Sequence, residues 1–194
     1  MLKKLKKKAA SNILLVVMKI RTSNLIFDSI VDGPSLRTVL FTQGCSHHCP
    51  GCHNTETWDP TKGQLRDVDG LFNQIINHGT KAMTFSGGEP FEQPLACASL
   101  AQRLKEQGFN LWSYSGYTWE QIQQDEDKKQ LLKHLDVLVD GRFILAQKSL
   151  TLRFKGSSNQ RIIDVQESIK QNKIVLYSLN KKRDFRQKRE GIYI

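Results

Sequence analysis

The sequence predicts an α/β fold: one domain around a mainly parallel sheet. Two observations carry this expectation. Short apolar runs bounded by turn residues alternate with stretches of helical periodicity from Leu36 to Asp140. And 194 residues suffice for one hydrophobic core but not for two ordinary domains. Strand–helix alternation gives parallel pairing, because each helical crossover returns the chain to the same end of the sheet.

The chain begins with a stretch that reads as an extension. Residues 1–8 hold five lysines and no acid, and Ile13-Leu14-Leu15-Val16-Val17 imitates a signal peptide. That apolar run is too short to span a membrane, and no small-residue cleavage site follows it. Residues 1–17 are therefore expected to be a disordered extension, with Met18 a candidate beginning. Residues 18–180 form the expected domain and 181–194 a basic tail. The two arms carry +9 of the net charge of +10. The body is close to neutral, so the arms are expected to be solvated tails, with no nucleic acid or membrane as partner.

Leu25-Ile26-Phe27 and Ile30-Val31 are expected in a first strand or hairpin edge, and Asp32-Gly33-Pro34 in a turn. Leu36–Thr42 reads as a strand ended by Gln43-Gly44, with Arg37 a surface or loop-stabilising charge. Thr55 to Arg66 is polar, and Trp58 in it is expected to cover the loop before it. Asp67 or Asp69 caps a helix to about His78, stopped by Gly79. Ala82–Ser86 is a buried strand. Pro94–Gln107 has Leu100 and Leu104 on one helical face and is closed by Gly108. Phe109–Tyr114 alternates as a strand, and Ser115-Gly116-Tyr117 turns the chain. Thr118-Trp119-Glu120-Gln121 is a capping box that opens a helix to about His134. Asp136–Asp140 is a buried strand ended by Gly141. Leu150–Phe154, Arg161–Val165 and Ile174–Leu179 are expected as further strands.

The chemistry sits on two loops. Cys45, Cys49 and Cys52 follow one another as C-x3-C-x2-C on the loop leaving the strand that ends at Thr42. Strand C-termini are where open α/β sheets and barrels place their sites. Three soft ligands on a short loop suit an iron–sulfur cluster or zinc. Structural zinc and an ordinary four-iron cluster both take four protein ligands, so three thiolates leave one metal position for a substrate. Two other readings stay open here. Cys49-Pro50-Gly51-Cys52-His53 also matches the haem c attachment pattern, and His47, His48 or His53 would complete a zinc shell. Cys97 lies at helical spacing with Ala101 and Leu104 and reads as a small core residue. The second loop is Gly87-Gly88-Glu89-Pro90, directly after a buried strand. Two glycines let backbone approach a ligand closely, and the Glu89 carboxylate at the loop edge is suited to an amino acid's ammonium.

Together the two loops resemble the radical S-adenosylmethionine superfamily. Within it the chain is similar to the activating proteins of anaerobic ribonucleoside-triphosphate reductases, which are glycyl-radical-enzyme activases. The resemblance rests on Asp32 to Thr38, Cys45 to Asn54 with Trp58, Ser86 to Pro90, Val139 to Phe143, and Gly156 to Gln160. Ser35 departs from it, standing where such activases often carry glycine.

The resemblance implies a partial (βα) barrel with four or five parallel strands. It implies a [4Fe-4S] cluster on Cys45, Cys49 and Cys52, with S-adenosyl-L-methionine chelating the open iron and lined by Gly51, Cys52, His53, Gly87 and Gly88. Glu89 is a further candidate contact. Reductive cleavage then gives a 5′-deoxyadenosyl radical that takes hydrogen from a glycine of the large reductase. Asp140, Arg142 and Ser157-Ser158-Asn159 are candidates for holding that partner or a nucleotide, beside a plain role in turns. A one-electron donor such as a flavodoxin is implied as a second partner. Such a cluster is oxygen-labile and its thiolates persist in a reducing cytosol, so a cytoplasmic, anaerobic protein is expected. The alternatives are a pyruvate formate-lyase activase, a deazaguanine-forming synthase, or a zinc-binding module.

Overall fold

The computed structural model describes residues 18–179, so the expectations for residues 1–17 and 181–194 lie outside the described residues. Seven strands form one sheet: β1 (Lys19–Ser29), β2 (Arg37–Thr42), β3 (Gln64–Asp67), β4 (Ala82–Gly87), β5 (Asn110–Tyr114), β6 (Val137–Asp140) and β7 (Arg161–Asp164). Their order is β3-β1-β2-β4-β5-β6-β7. The four central strands, β2, β4, β5 and β6, are mutually parallel. β1 and β3 extend one side antiparallel, and β7 pairs antiparallel with β6. The sheet is open, with β3 and β7 as its edges, as a partial barrel requires.

Helices α1 (Val68–His78) and α2 (Pro94–Glu106) make the first two crossovers, while α3 (Trp119–Gln123) and α4 (Glu126–Leu132) share the third; α5 (Val165–Gln171) follows β7. The strand pleat sorts side chains between two faces. Met83, Phe85, Leu111 and Leu138 join Leu71, Leu100, Leu104 and Leu131 of the helices in the main core, and Cys97 is buried there. Trp112, Val137, Val139 and Ile162 pack on the opposite face with Tyr114, Phe154 and Tyr177. Among the described residues no helix is long and apolar enough to cross a membrane.

Local signals place the helix ends. Asp67 accepts the Gly70 N–H at 2.6 Å and opens α1, and Gly79 ends it at φ 95°. Thr118 and Gln121 exchange the two hydrogen bonds of the capping box at α3.

Three expectations are corrected. The helix from Thr118 to His134 is two helices, because Asp125 accepts the N–H groups of Asp127 and Lys128 and starts a new one. Leu150–Phe154 is a run of turns, with Phe154 at φ 56° and its ring edge-on to Trp112. Ile174–Leu179 runs beside β7 with one isolated bridge at Leu176 and forms no full strand. In addition, the strand β3 lies within and just beyond the polar stretch Thr55–Arg66, to which no strand was assigned.

Of the two roles expected of Arg37, the structure shows the loop-stabilising one and not the surface one: it is 1% exposed and bonds the 32–36 loop. All five guanidinium N–H donors are used. Nε donates to Thr84 Oγ1 at 2.8 Å. The two terminal nitrogens donate to the carbonyls of Pro34, Met83 and Asn110 and to Asn110 Oδ1, at 2.7–3.2 Å. The group lies 5.3 Å from the Trp112 ring centroid. Burial lowers its pKa to about 10, so it stays charged at neutral pH. Thr84 Oγ1 donates onward to the Asp32 carbonyl at 2.8 Å, so Arg37 and Thr84 pin the 32–36 loop against β4 and β5. A Cβ on Gly33 would lie 2.9 Å from Arg37 Cδ. Ser35 sits at φ 69°, the backbone region that favours glycine.

Replacing Arg37 with Leu leaves three buried carbonyls without these donors. We expect a loss of about 3 kcal/mol or more, read as a fall of roughly 10 °C in the unfolding midpoint. A change below about 1 kcal/mol would show that the loop is held by other contacts.

Candidate functional site

A cavity of about 250 Å³ opens where β2, β4, β5 and β6 end. It is lined by Cys45, Cys49 and Cys52 from the loop after β2, Gly87-Gly88 after β4, and Ser115-Gly116 after β5. Gly141 and Phe143 after β6 complete the rim with Gly51, His53 and Trp58. Every cofactor and metal position expected from the sequence thus faces one cavity.

The thiolate loop is built from backbone signals. Pro50-Gly51 occupies the centre of a turn in which Cys52 N donates to Cys49 O at 3.0 Å. Gly51 is at φ 76°, the geometry a type II turn requires of its third residue. A Cβ there would also meet Leu145 Cδ1 at 2.8 Å. The three loop cysteines are free and partly exposed. Cys45 Sγ receives the backbone N–H groups of His47 and His48, yet burial and the nearby Glu89 and Glu92 push its pKa up to about 11. Cys52 Sγ accepts the Asn54 N–H at 3.4 Å. The donor set fits an iron–sulfur cluster: three reduced thiols face one space, with N–H groups ready for sulfur that carries charge. Among the described residues no three His, Cys, Asp or Glu side chains converge on a single-ion site.

The Gly87-Gly88 loop lies directly on this loop. Gly88 N donates to Thr42 O at 2.9 Å and Glu89 N to Gly44 O at 2.8 Å. A Cβ on Gly88 would fall 2.3 Å from Gly44 O, and one on Gly87 2.7 Å from Phe41 Cα. No side chain fits at either position without moving the backbone. Gln43 and Gln93 finish the frame. Gln43 Nε2 donates to the carbonyls of Glu56 and Asp59, fixing the segment that carries Trp58. Gln93 bonds both backbone groups of Arg21 and the Gln43 carbonyl. Trp58 packs edge-on to His48 at 4.9 Å, and its carbonyl accepts the Cys45 N–H.

Glu89 lines the same cavity and also bonds three parts of the chain. It is 1% exposed and already saturated. Oε1 accepts from Phe91 N and Ser115 Oγ at 3.0 Å each. Oε2 accepts from Gly116 N at 2.7 Å and from His47 Nε2 at 3.0 Å. It is a clamp joining the Gly-Gly loop, the end of β5 and the spacer between the first two cysteines. An ammonium would have to displace one of these bonds. Glu92 holds the neighbouring spacer residue, accepting from Ser46 N at 2.8 Å and from its hydroxyl. The C-x3-C spacer is thus tied by two carboxylates. The sequence offered His47 only as a candidate zinc ligand, and its bond to Glu89 was not legible there.

Asp140 is likewise committed. It is 1% exposed, accepts the Trp119 N–H at 2.7 Å and pairs with Arg161, which also bridges to Glu120. Glu120 is drawn down to a pKa of about 2, chiefly by its hydrogen bonds from Arg161. Ser157 is buried and its hydroxyl accepts the Ile144 N–H; Asn159 Nδ2 donates to the Arg142 carbonyl. Ser158 N donates to the Gln147 carbonyl. This loop braces the rim through its backbone, while the Arg142 side chain is exposed.

Glu89→Gln replaces one acceptor oxygen by an N–H group that faces donors. We expect a loss of about 2–4 kcal/mol, seen as a lower unfolding midpoint of the anaerobically reconstituted protein. An unchanged midpoint would mean that Glu89 does not hold the two loops together.

A sequence profile describing a 4Fe-4S single cluster domain matches residues 31–163. The chain is 35% identical over 144 residues to the anaerobic ribonucleoside-triphosphate reductase-activating protein of Haemophilus influenzae, covering 69% of this chain and 90% of that one. It is 34% identical over 141 residues to the protein of the same name from Escherichia coli, covering 68% and 90%. The bacteriophage T4 protein of that name is 33% identical over 144 residues, covering 68% and 86%. Among solved structures, QueE from Escherichia coli aligns over 52% of this chain and 54% of its own, at 19% identity and a TM-score of 0.45. With its thiolate loop and Gly-Gly loop facing one cavity, the chain belongs to the family of anaerobic ribonucleoside-triphosphate reductase-activating proteins.

Proposed function

We propose that this protein activates an anaerobic ribonucleoside-triphosphate reductase by forming a glycyl radical on it, with S-adenosyl-L-methionine as cosubstrate. The observation that carries this reading is the joining of the Cys45–Cys52 loop and the Gly87-Gly88 loop at one cavity, in a chain whose relatives bear that activating name. When bound, a four-iron cluster supplies one electron and the reductive cleavage of S-adenosylmethionine to methionine, leaving a 5′-deoxyadenosyl radical to take the glycine Cα hydrogen.

Each residue then has a task. The thiolates of Cys45, Cys49 and Cys52 would hold the cluster, beside the space for the methionine end of the cosubstrate. Deprotonation of Cys45, whose thiol burial favours, accompanies metal binding. Gly87 and Gly88 let that methionine end lie against backbone. Gly51, Cys52 and His53 line the adjoining wall, where His53 Nε2 accepts from Lys148 at 3.1 Å. Trp58 and Phe143 add aromatic surface to the lining of the cavity. The reductase must bring its glycine to the open rim and hold it there, because hydrogen transfer needs the two carbons in close approach. An external one-electron donor, such as a flavodoxin, and an anaerobic cytoplasm complete the reading.

Reduced protein, S-adenosylmethionine and purified reductase should together give a doublet electron paramagnetic resonance signal that requires all three. Cleavage without reductase should be slow. Fast cleavage coupled to consumption of a small molecule, with no reductase signal, would overturn the proposal in favour of a small-molecule radical enzyme.

A further inference from the structure

The segment that follows β6 is held rigidly in a position that exposes apolar side chains. Four backbone groups between Gly141 and Gln147 receive hydrogen bonds from, or donate to, the 157–160 loop. Gly141 O accepts Gln160 Nε2 and Arg142 O accepts Asn159 Nδ2, both at 2.9 Å. Ile144 N donates to Ser157 Oγ at 3.2 Å, and Gln147 O accepts Ser158 N at 2.9 Å. A bridge between Lys148 and Ser157 closes the brace. Yet Ile144 is 40%, Leu145 53% and Leu150 92% exposed. Braced backbone and large apolar side chains in water mark a contact surface.

The position of this segment identifies what it contacts. Leu145 packs on Gly51 of the thiolate loop, and Phe143 lines the main cavity. Arg142 and Ile144 line a second, open cavity of about 450 Å³, which shares Gly116 and Gly141 with the first. The two cavities are therefore neighbours on the rim. Glu120, Asp140 and Arg161 in the second cavity are committed to one another. The Arg142 guanidinium makes no hydrogen bond or ion pair with any described residue and is exposed. It is the uncommitted charge of that wall among the described residues.

We propose that the 142–150 segment is the docking surface for the reductase polypeptide that carries the radical-site glycine. This rests on the activase reading above. The partner lays an extended stretch along the two neighbouring cavities, covers Ile144 and Leu150 with apolar side chains, and sets an acidic group against Arg142. Gly116 and Gly141 line both cavities, with the His47 ring packed against Gly116.

The test compares Leu150→Glu, Arg142→Glu and a control, Leu65→Glu, on the far-edge strand β3, where Leu65 is 54% exposed. Affinity for purified reductase and the yield of the glycyl radical signal are measured beside the oligomeric state of each variant. Leu150→Glu should weaken reductase binding about tenfold or more, with reductant-driven cosubstrate cleavage in the absence of reductase unchanged. Arg142→Glu should weaken binding to a similar extent and flatten its salt dependence. Leu65→Glu should behave as wild type. If both rim variants bind reductase and form the radical as wild type does, this surface is not the dock, while the activase reading stands. If they instead change only self-association, the surface joins copies of this chain and the proposal fails. If the wild-type protein itself gives no radical with reductase, the activase reading and the docking proposal fall together.

Discussion

Everything at the open end of this sheet depends on how closely two stretches of backbone approach. Gly88 lies against Gly44 with room for no carbon atom between them, and the Gly88 and Glu89 N–H groups donate to the carbonyls of Thr42 and Gly44. The contact extends the parallel β2–β4 pairing, which runs through Thr42 and Gly87, beyond the strands themselves. It carries the thiolate loop and the Gly-Gly loop to the rim as one unit. A metal cluster on one loop and a ligand lying on the other are then neighbours by construction, without a long side chain to reach between them.

Polar clamps hold this arrangement from both ends. Glu89 and Glu92 fix His47 and Ser46, so the spacer between Cys45 and Cys49 cannot swing away from the Gly-Gly loop. At the opposite end of β2, Arg37 fills the space beneath the 32–36 loop with five hydrogen bonds and no carboxylate partner. Glu89 and Arg37 are buried groups whose neighbours satisfy them. Their cost in desolvation is offset only while each bond is made, which gives these sites a single arrangement. The rim after β6 follows the same logic, with side-chain amides and hydroxyls of 157–160 serving backbone groups that no strand reaches.

The sequence made the local features legible. Asp67, Gly79 and the Thr118–Gln121 box set helix ends because capping involves residues three or four apart. The cysteines and glycines could be read because their chemistry follows from spacing and from the absence of a side chain. What could not be read was non-local. Nothing beside Arg37 in the chain announces Thr84 and Asn110 as its partners, and nothing beside Glu89 announces Ser115 and Gly116. That is why the burial of Arg37 and the inter-loop bonds of Glu89 could not be read from the chain. The β3 strand was missed because Gln64–Asp67 is largely polar and is held by pairing with β1 rather than by burial. Asp125 and Phe154 broke elements that periodicity would have continued, one by capping and one by a left-handed backbone.

The central claim is that the thiolate loop and the Gly-Gly loop are one structural unit, so a change on one is felt on the other. Gly88→Ala tests it most directly, since Gly88 is no ligand to metal and the added methyl group points at Gly44 O. Iron content after anaerobic reconstitution should fall. The electron paramagnetic resonance spectrum of the reduced cluster that remains should no longer respond to S-adenosylmethionine. A Gly88→Ala protein with the full iron of a 4Fe-4S cluster and the wild-type spectral response would contradict the claim.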